Sequence, residues 1–523
     1  MSGRIFIVLL SLIFGLWAFG QDRKPNIVFI LADDLGYGDL GCYNKDSKIP
    51  TPYLDKLASE SMRFTDAHAP TSVCSPTRYA ILTGRYSWRS RLQRGVIGIM
   101  GKSLIDANRL TVGSMLQKNG YTTACIGKWH LGWHWPTKDG LAAKIGADRM
   151  SNVDFSKPIT EGPTARGFDF YFGVDVPNYP PYCYIENDRT VGIPDQQDTG
   201  RASGFNIPGP MLKDWKLVNI LPELSRRSVK YVEETAKTGK PFFLYFTLTS
   251  PHFPVVPSDE FKGKSKVGDY GDYVMQTDWT VGQLLESLQR AGVADNTLVI
   301  FTSDNGPEVS GEVNPGVYDR AQQYKHYSMG PLRGAKRDTW EGGHRVTFIV
   351  RWPGKVKPAT VNAEPICHVD FMATVAAIGN IKLPDDAGVD SHNLLPLFLG
   401  EKLSGPAHEA IVHHSASGKF AIRKGDWVLI DSPSGDDNSK NGEPEWLKTE
   451  RGYTKSTTPG ELFNVKDDIP EKTNQFAQHP EIVKSLKELL EQYKQNGRST
   501  PGPKQENDVA LKQPVKAKTT LTE

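Results

Sequence analysis

Six short segments carry side chains that together could do chemistry. Cys74-Ser75-Pro76-Thr77-Arg78 sets a thiol and a guanidinium four residues apart, and Thr83-Gly84-Arg85 follows. A proline two residues after Cys74 opens a helix well, because its fixed φ suits the first turn and its missing N–H is not needed there. Cys74 is therefore expected at a helix N-terminus, where unpaired backbone N–H groups favour an anion. Asp33-Asp34 and Asp304-Asn305 offer four oxygen-bearing side chains, the donor set of a hard cation such as calcium or magnesium. An Asp pair after a strand is more often a turn or a cap, so it gains weight only from its company. Lys128, His130, His252 and Lys336 add two ammonium groups and two imidazoles. Imidazole is the most frequent general acid or base near neutral pH.

These residues need elements to position them. Continuous apolar runs at 26–31, 242–247, 297–302 and 346–350 fit strands covered on both faces, as in a parallel sheet. Helices are expected from Thr51-Pro52 to residue 61, over 111–119 before Gly120, and over 270–290 before Gly292. The alternation predicts an α/β fold: a large mixed, mostly parallel sheet sandwiched by helices. Three runs lead into Ala32-Asp33-Asp34, Ser303-Asp304-Asn305 and Ser250-Pro251-His252. Ligands in open α/β sheets bind beyond the carboxyl ends of strands, which would bring these distant segments into one pocket.

The main domain is expected over residues 21–400. Residues 401–496 differ, with short strand-like pieces at 420–423 and 427–430 and an amphipathic helix at 480–493, and predict a smaller C-terminal α+β domain. Residues 497–523 are polar and lack aromatics, and are expected to be disordered. Residues 1–20 read as a signal peptide: Arg4, an apolar run over 5–19, and Ala18-Phe19-Gly20 at the cleavage positions. The run is shorter than the roughly 20 residues that span a bilayer. A secreted or periplasmic protein with no membrane span follows.

Of 523 residues, 62 are basic and 60 acidic. Such balance argues against nucleic acid as a partner, so any anion site must be local. Five cysteines are few for an exported chain of this length and exclude a disulfide scaffold. Were Cys74 chemically modified, Cys42, Cys125, Cys183 and Cys367 would leave up to two bridges open.

The segments also resemble a known family. Cys74-Ser75-Pro76-Thr77-Arg78 with the later Thr83-Gly84 is similar to the signature C-x-P-x-R…T-G of formylglycine-dependent sulfatases, within the alkaline phosphatase superfamily. Asp33-Asp34-Leu35-Gly36-Tyr37-Gly38 resembles the family's opening segment, and Gly127-Lys128-Trp129-His130-Leu131-Gly132 its G-K-W-H-x-G motif. Thr51-Pro52-Tyr53-Leu54-Asp55-Lys56-Leu57, Pro251-His252-Phe253-Pro254, Leu332 to Lys336, Thr339-Trp340-Glu341-Gly342-Gly343 and Glu461-Leu462-Phe463-Asn464 fit in order. The resemblance is strongest to arylsulfatase-A-like enzymes, bacterial glycan sulfatases included.

That resemblance implies a mechanism. A formylglycine-generating maturation enzyme oxidises Cys74 to formylglycine (3-oxoalanine), whose hydrate attacks sulfur and later releases sulfate by collapsing to the aldehyde. One Ca2+ would be held by Asp33, Asp34, Asp304, Asn305 and the residue-74 oxygen. Arg78 would steady formylglycine and the carboxylates, Lys128 and Lys336 would bind sulfate, His130 would be the base of sulfate release, and His252 the acid for the leaving alcohol. A sulfated carbohydrate is the expected substrate. Aryl or steroid sulfates, a formylglycine-dependent phosphonate or phosphate ester, and a silent glycan-binding protein are the alternatives. His344, where many members have a small or apolar residue, could face substrate or merely pack, and His134 is a candidate to contact substrate. Arg89, Arg91 and Arg94 form a basic cluster, which more often is a solvated face.

Overall fold

The computed structural model describes residues 23–200, 207–309 and 315–511. The leader at 1–20 lies outside them. Strand β1 (Asn26–Asp33) is buried along its whole length, as its unbroken apolar sequence requires. Ile27, Phe29 and Leu31 enter one core, and Val28, Ile30 and Ala32 enter another on the opposite face. Side chains that alternate along a strand thus serve two layers at once.

Six further strands extend the sheet: β2 (Met62–His68), β3 (Thr122–Lys128), β4 (Phe170–Val174), β5 (Phe242–Pro251), β6 (Thr297–Ser303) and β7 (Arg345–Arg351). Their spatial order is β2-β7-β6-β1-β5-β3-β4, with short strands at both edges. Helices α1 (Pro52–Ser59), α4 (Ile220–Ala236) and α5 (Gly268–Arg290) cover one face. Helices α2 (Cys74–Thr83), α3 (Val112–Lys118) and α6 (Phe371–Ile378) cover the other. The observed elements match the expected runs to within a few residues.

β6, β1, β5, β3 and β4 are all parallel. β7 differs: it runs antiparallel to β6, with Ile349 opposite Phe301. The chain leaves β6 at its carboxyl end, forms loops there, and re-enters the sheet from that side without crossing back. β7 is still nearly all buried, so its hydrophobicity carries no trace of its direction.

A second, antiparallel sheet consists of β8 (Ile411–His414), β9 (Phe420–Lys424), β10 (Trp427–Ile430) and β11 (Glu461–Asn464), paired in that order. Helix α7 (Pro480–Asn496) lays Val483, Leu486 and Leu490 against Ile422, Leu429 and Leu462. The same cluster takes in Ala80, Tyr86 and Trp88 from α2 and the turn behind it. The small sheet therefore braces the helix that begins at Cys74.

Disorder was expected from residue 497; through residue 511 the structure corrects this. Gly497 ends α7 in a left-handed turn, and the chain then returns along the main domain. Asp508 pairs with Arg85 at 2.8 Å and Arg109 at 2.9 Å, and Asn507 accepts from Arg89 at 3.2 Å. The segment has few apolar residues, Val509, Ala510 and Leu511, and is held chiefly by arginines, with Leu511 packed against the small-sheet core. Residues 512–523 lie outside the described residues.

Asp508→Ala leaves the Arg85 guanidinium, 3% exposed, without its carboxylate. A loss of about 1–2 kcal/mol is expected, measured as a lowered denaturation midpoint. An unchanged midpoint would show that this strap contributes nothing.

Candidate active site

Register places the chemistry. Ala32 of β1 pairs with Ser303 of β6, so Asp33-Asp34 and Asp304-Asn305 leave the sheet side by side. Asp33 pairs with Pro251 of β5, which sets His252 beside them. Gly127 of β3 pairs with Thr247 of β5, so Lys128 emerges at the same edge. Gly127 has φ 122°, and a Cβ there would meet the Thr247 carbonyl oxygen at 1.7 Å; only glycine allows this approach. Asp34 has φ 64°, uncommon for a residue with a side chain.

Helix α2 begins at Cys74, which is 2% exposed. Arg78, one turn later, donates from Nη2 to Asp304 Oδ2 at 2.7 Å and from Nη1 to the Lys128 carbonyl at 3.0 Å. Lys128 Nζ donates to Asp33 Oδ2 at 2.8 Å. Lys336 Nζ donates to Asp34 Oδ2 at 2.6 Å and lies 3.3 Å from Glu308. Asn305 Nδ2 donates to Asp34 Oδ1 at 2.7 Å. His252 Nε2 is 3.7 Å from Asp34 Oδ2. His130, with φ 53°, donates its backbone N–H to Asp175 at 3.1 Å, and its Nε2 meets the Ile97 carbonyl at 2.9 Å. Ligand atoms of Asp33, Asp34, Cys74 and His252 all lie within 4.8 Å of one another.

The residues fit a hard cation. Asp33 Oδ1 and Asn305 Oδ1 are buried with no hydrogen-bond partner. Buried polar atoms normally have one. Burial and the Asp33 charge push the Asp304 carboxyl up to about 7, a repulsion that a divalent ion between them would relieve. Burial also opposes ionisation of Asp33, yet the Lys128 ammonium, with His252 and Arg78, holds it far below the usual carboxylate range. Burial pushes the Cys74 thiol up to about 12, against the pull of Lys128 and Lys336. Burial, then the Lys128 and Arg78 charges, depresses His130; burial, then Lys128 and Lys336, brings His252 down to about 4.

Carboxylates of Asp33, Asp34, Asp304 and Glu308 thus face the cations Arg78, Lys128, Lys336 and Arg337 in paired fashion. With the pairs balanced, a divalent ion would leave an excess of positive charge for an anionic ester.

Comparison with known proteins matches this geometry. A family model described as Sulfatase covers residues 25–381. The chain belongs to the sulfatase family. It is 34% identical over 513 residues to the N-acetylgalactosamine-6-O-sulfatase of Bacteroides thetaiotaomicron, covering 91% of this chain and 94% of that protein. It is 31% identical to human arylsulfatase A, covering 89% and 87%. A solved Bacteroides thetaiotaomicron sulfatase, described under the metabolism of multiple glycosaminoglycans, superposes with TM-score 0.74 at 31% identity, covering 90% of this chain and 99% of that one. The protein is a sulfuric ester hydrolase.

Not every expected residue joins the sulfatase site. His344 is 1% exposed and belongs to a separate histidine cluster, which corrects the expectation of substrate contact. Its Nε2 donates to the Thr339 carbonyl at 3.0 Å, its Nδ1 lies 3.1 Å from His68 Nδ1, and its ring stacks on His413 at 3.9 Å. Both ring nitrogens are occupied, because β7 register and the small sheet enclose the ring. His134 is exposed and pairs with Thr160 through its backbone; among the described residues no hydrogen bond or ion pair joins its ring to the site. Arg89 is buried on Asp390 through two bonds of 2.8 Å, and Arg91 binds the Lys102 and Ser103 carbonyls. The five cysteines are free.

Sequence reading missed Glu308 and Arg337. Arg337 donates to both Glu308 oxygens, at 2.6 and 2.8 Å. Their neighbours Asn305 and Lys336 were the available signal.

Burial lowers the His344, His368 and His414 imidazoles to about 3. In the unfolded chain they titrate near 6.5, so below that pH the unfolded state binds protons that the native state refuses. Their contribution is complete above about pH 6.5 and is lost as pH falls towards 3. Each should cost roughly 1–2 kcal/mol between pH 6.5 and 5. Denaturation midpoints should fall over that interval, and less steeply in His414→Gln. Parallel profiles for the two proteins would refute the assignment.

Proposed function

We propose that this sulfatase removes sulfate from a sulfated carbohydrate, using one Ca2+ and a formylglycine made from Cys74. The observation that carries this reading is the ring of paired charges around the residue-74 side chain, with two partnerless oxygens among the metal candidates. Similarity to a named N-acetylgalactosamine-6-O-sulfatase and to a glycosaminoglycan-related sulfatase supports the carbohydrate class. Asp33, Asp34, Asp304 and Asn305 would hold the ion. When bound, calcium supplies Lewis-acid polarisation of sulfate oxygens.

The chain's own residues do the rest. Cys74, once oxidised and hydrated, carries two hydroxyls. One gives its proton to a carboxylate of the cluster around residue 74 and attacks sulfur: an O–S bond forms while the bond from sulfur to the sugar oxygen breaks. His252 gives that oxygen its proton, which matters because an unactivated sugar hydroxyl is a poor leaving group. A bound sulfate ester offsets the Lys128 and Lys336 charges, and so helps His252 to hold that proton. Lys128 and Lys336 offset charge that develops on the sulfuryl oxygens. Arg78, committed to Asp304 and the Lys128 carbonyl, keeps the frame rigid. His130 then takes the proton of the second hydroxyl, the carbonyl re-forms, and the C–O bond to sulfate breaks. Water adds to the aldehyde and restores the diol.

An expected leader at 1–20 and the extracellular chemistry of polysaccharides favour a secreted or periplasmic enzyme matured by a formylglycine-generating partner. Among the described residues no helix is long and apolar enough to cross a membrane.

Cys74→Ala is expected to lower turnover of an aryl sulfate by more than about a thousandfold, the scale of losing a covalent nucleophile. The peptide holding residue 74 should be about 18 Da lighter than its encoded mass, as CH2SH becomes CHO. Unmodified cysteine in an active enzyme would sink the formylglycine reading. Chelation should abolish activity and added calcium restore it; activity indifferent to chelator would rule out the ion. Faster hydrolysis of an aryl phosphate than of the sulfate would favour a phosphoesterase.

A further inference from the structure

The stretch from 129 to 189 is rich in aromatic residues, and most are spent on the core: Trp129, Trp133, Trp135, Phe168 and Tyr171 are buried there. Tyr179 is different. It follows β4 in a loop tied to the catalytic motif, since Val174 accepts from the Trp129 N–H at 3.1 Å and Asp175 from the His130 N–H at 3.1 Å. The loop is closed by the Tyr179 N–H on the Val176 carbonyl, and by the Tyr182 hydroxyl, which bonds to the Asn178 and Ile207 carbonyls. The Tyr179 ring meets the His130 ring edge-on, with centroids 5.8 Å apart and planes at 82°. The residue is half-buried, and no hydrogen bond to its hydroxyl is found among the described residues. A phenol held this way usually has a partner for its O–H.

The groups around sulfur are almost closed off. Arg78 and Lys128 are 0% exposed, Cys74 2%, His130 3%, Lys336 5% and His252 7%. The alcohol part of a bound ester must therefore lie outside them, and Tyr179, more exposed than any of them, stands next to His130. Lys128, Asp175 and Lys336 lie near enough to act on its hydroxyl, so the residue is close to the groups around sulfur.

We propose that Tyr179 is a specificity-determining residue that receives the pyranose ring bearing the sulfate. The fixed loop offers an aromatic surface for the apolar C–H face of a sugar and an unused hydroxyl for one of its O–H groups. Few rotatable bonds make such a platform cheap in entropy, and ligand sites combine apolar area with a few placed polar groups. This inference rests on the carbohydrate reading above.

The experiment compares mature wild type, Tyr179→Ala and Tyr179→Phe on defined sulfated mono- and disaccharides and on a small aryl sulfate. For the preferred saccharide, Tyr179→Ala should raise KM about tenfold or more with kcat within about threefold, as expected for binding shared by ground and transition states. Tyr179→Phe should recover most of the loss if the ring face matters, and little if the hydroxyl does. The aryl sulfate, whose activated leaving group needs no sugar contact, should show a far smaller effect. An unchanged saccharide KM in Tyr179→Ala overturns the assignment, as does an equal fall in kcat on both substrates, which would mark a residue that only supports His130. Wild type that turns over the aryl sulfate and no saccharide overturns the carbohydrate reading itself.

Discussion

Four carboxylates and four cations share a volume from which water is largely excluded, Arg337 alone among them being partly exposed. Unpaired charge there would cost several kcal/mol per ion. Each carboxylate is therefore met by a specific cation: Asp33 by Lys128, Asp34 by Lys336, Asp304 by Arg78 and Glu308 by Arg337. The partners come from β1, β3, β6, α2 and the loop before β7. Removing any one would strand its mate, so the site and the sheet edge that carries it are one cooperative object. The same pairing keeps long, flexible lysines in fixed positions, as the proposed reaction requires.

The sheet supplies the positions, and the second sheet holds them. α2 begins at Cys74 and is buried throughout, packed between the main sheet and the small antiparallel one. Ser72 donates to the His414 carbonyl at 3.2 Å, and Arg337 to the Ser72 carbonyl at 2.9 Å. The loop before Cys74 is thus bonded both to β8 and to the segment that carries Lys336. Asp66 and Glu341, held by Arg423 and Arg345 with His68 and His344 between them, fix the same junction from below. The small C-terminal domain acquires a purpose here: it holds Cys74 at its helix end.

Much of this was legible from residue order. Unbroken apolar runs fixed the central strands, since a strand buried on both faces has no polar side to show. Asp33-Asp34 and Asp304-Asn305 were recognisable because each follows such a run. Other features were not legible. β7 is as apolar as its parallel neighbours, so its antiparallel direction left no mark. The tail at 497–511 looked unstructured because hydrophobicity measures cores, whereas Asp508 is held by Arg85 and Arg109. His344 follows a family-like glycine pair, where order alone left substrate contact and packing equally open; His68 and His413 lie about 276 and 69 residues away in order and enclose it only in space.

The sequence by itself determined the kinds of groups available, their places at strand and helix ends, and the family to which those motifs point. These are local properties: a strand's polarity pattern, a proline near a helix start and a pair of acids after an apolar run depend on a few adjacent residues. Only the tertiary structure decided which acid meets which base, which histidine is walled in and which tyrosine is left open beside the site. Those outcomes depend on strand order, on register, and on a second sheet closing over the first, and each joins residues hundreds of positions apart that have no local preference for one another.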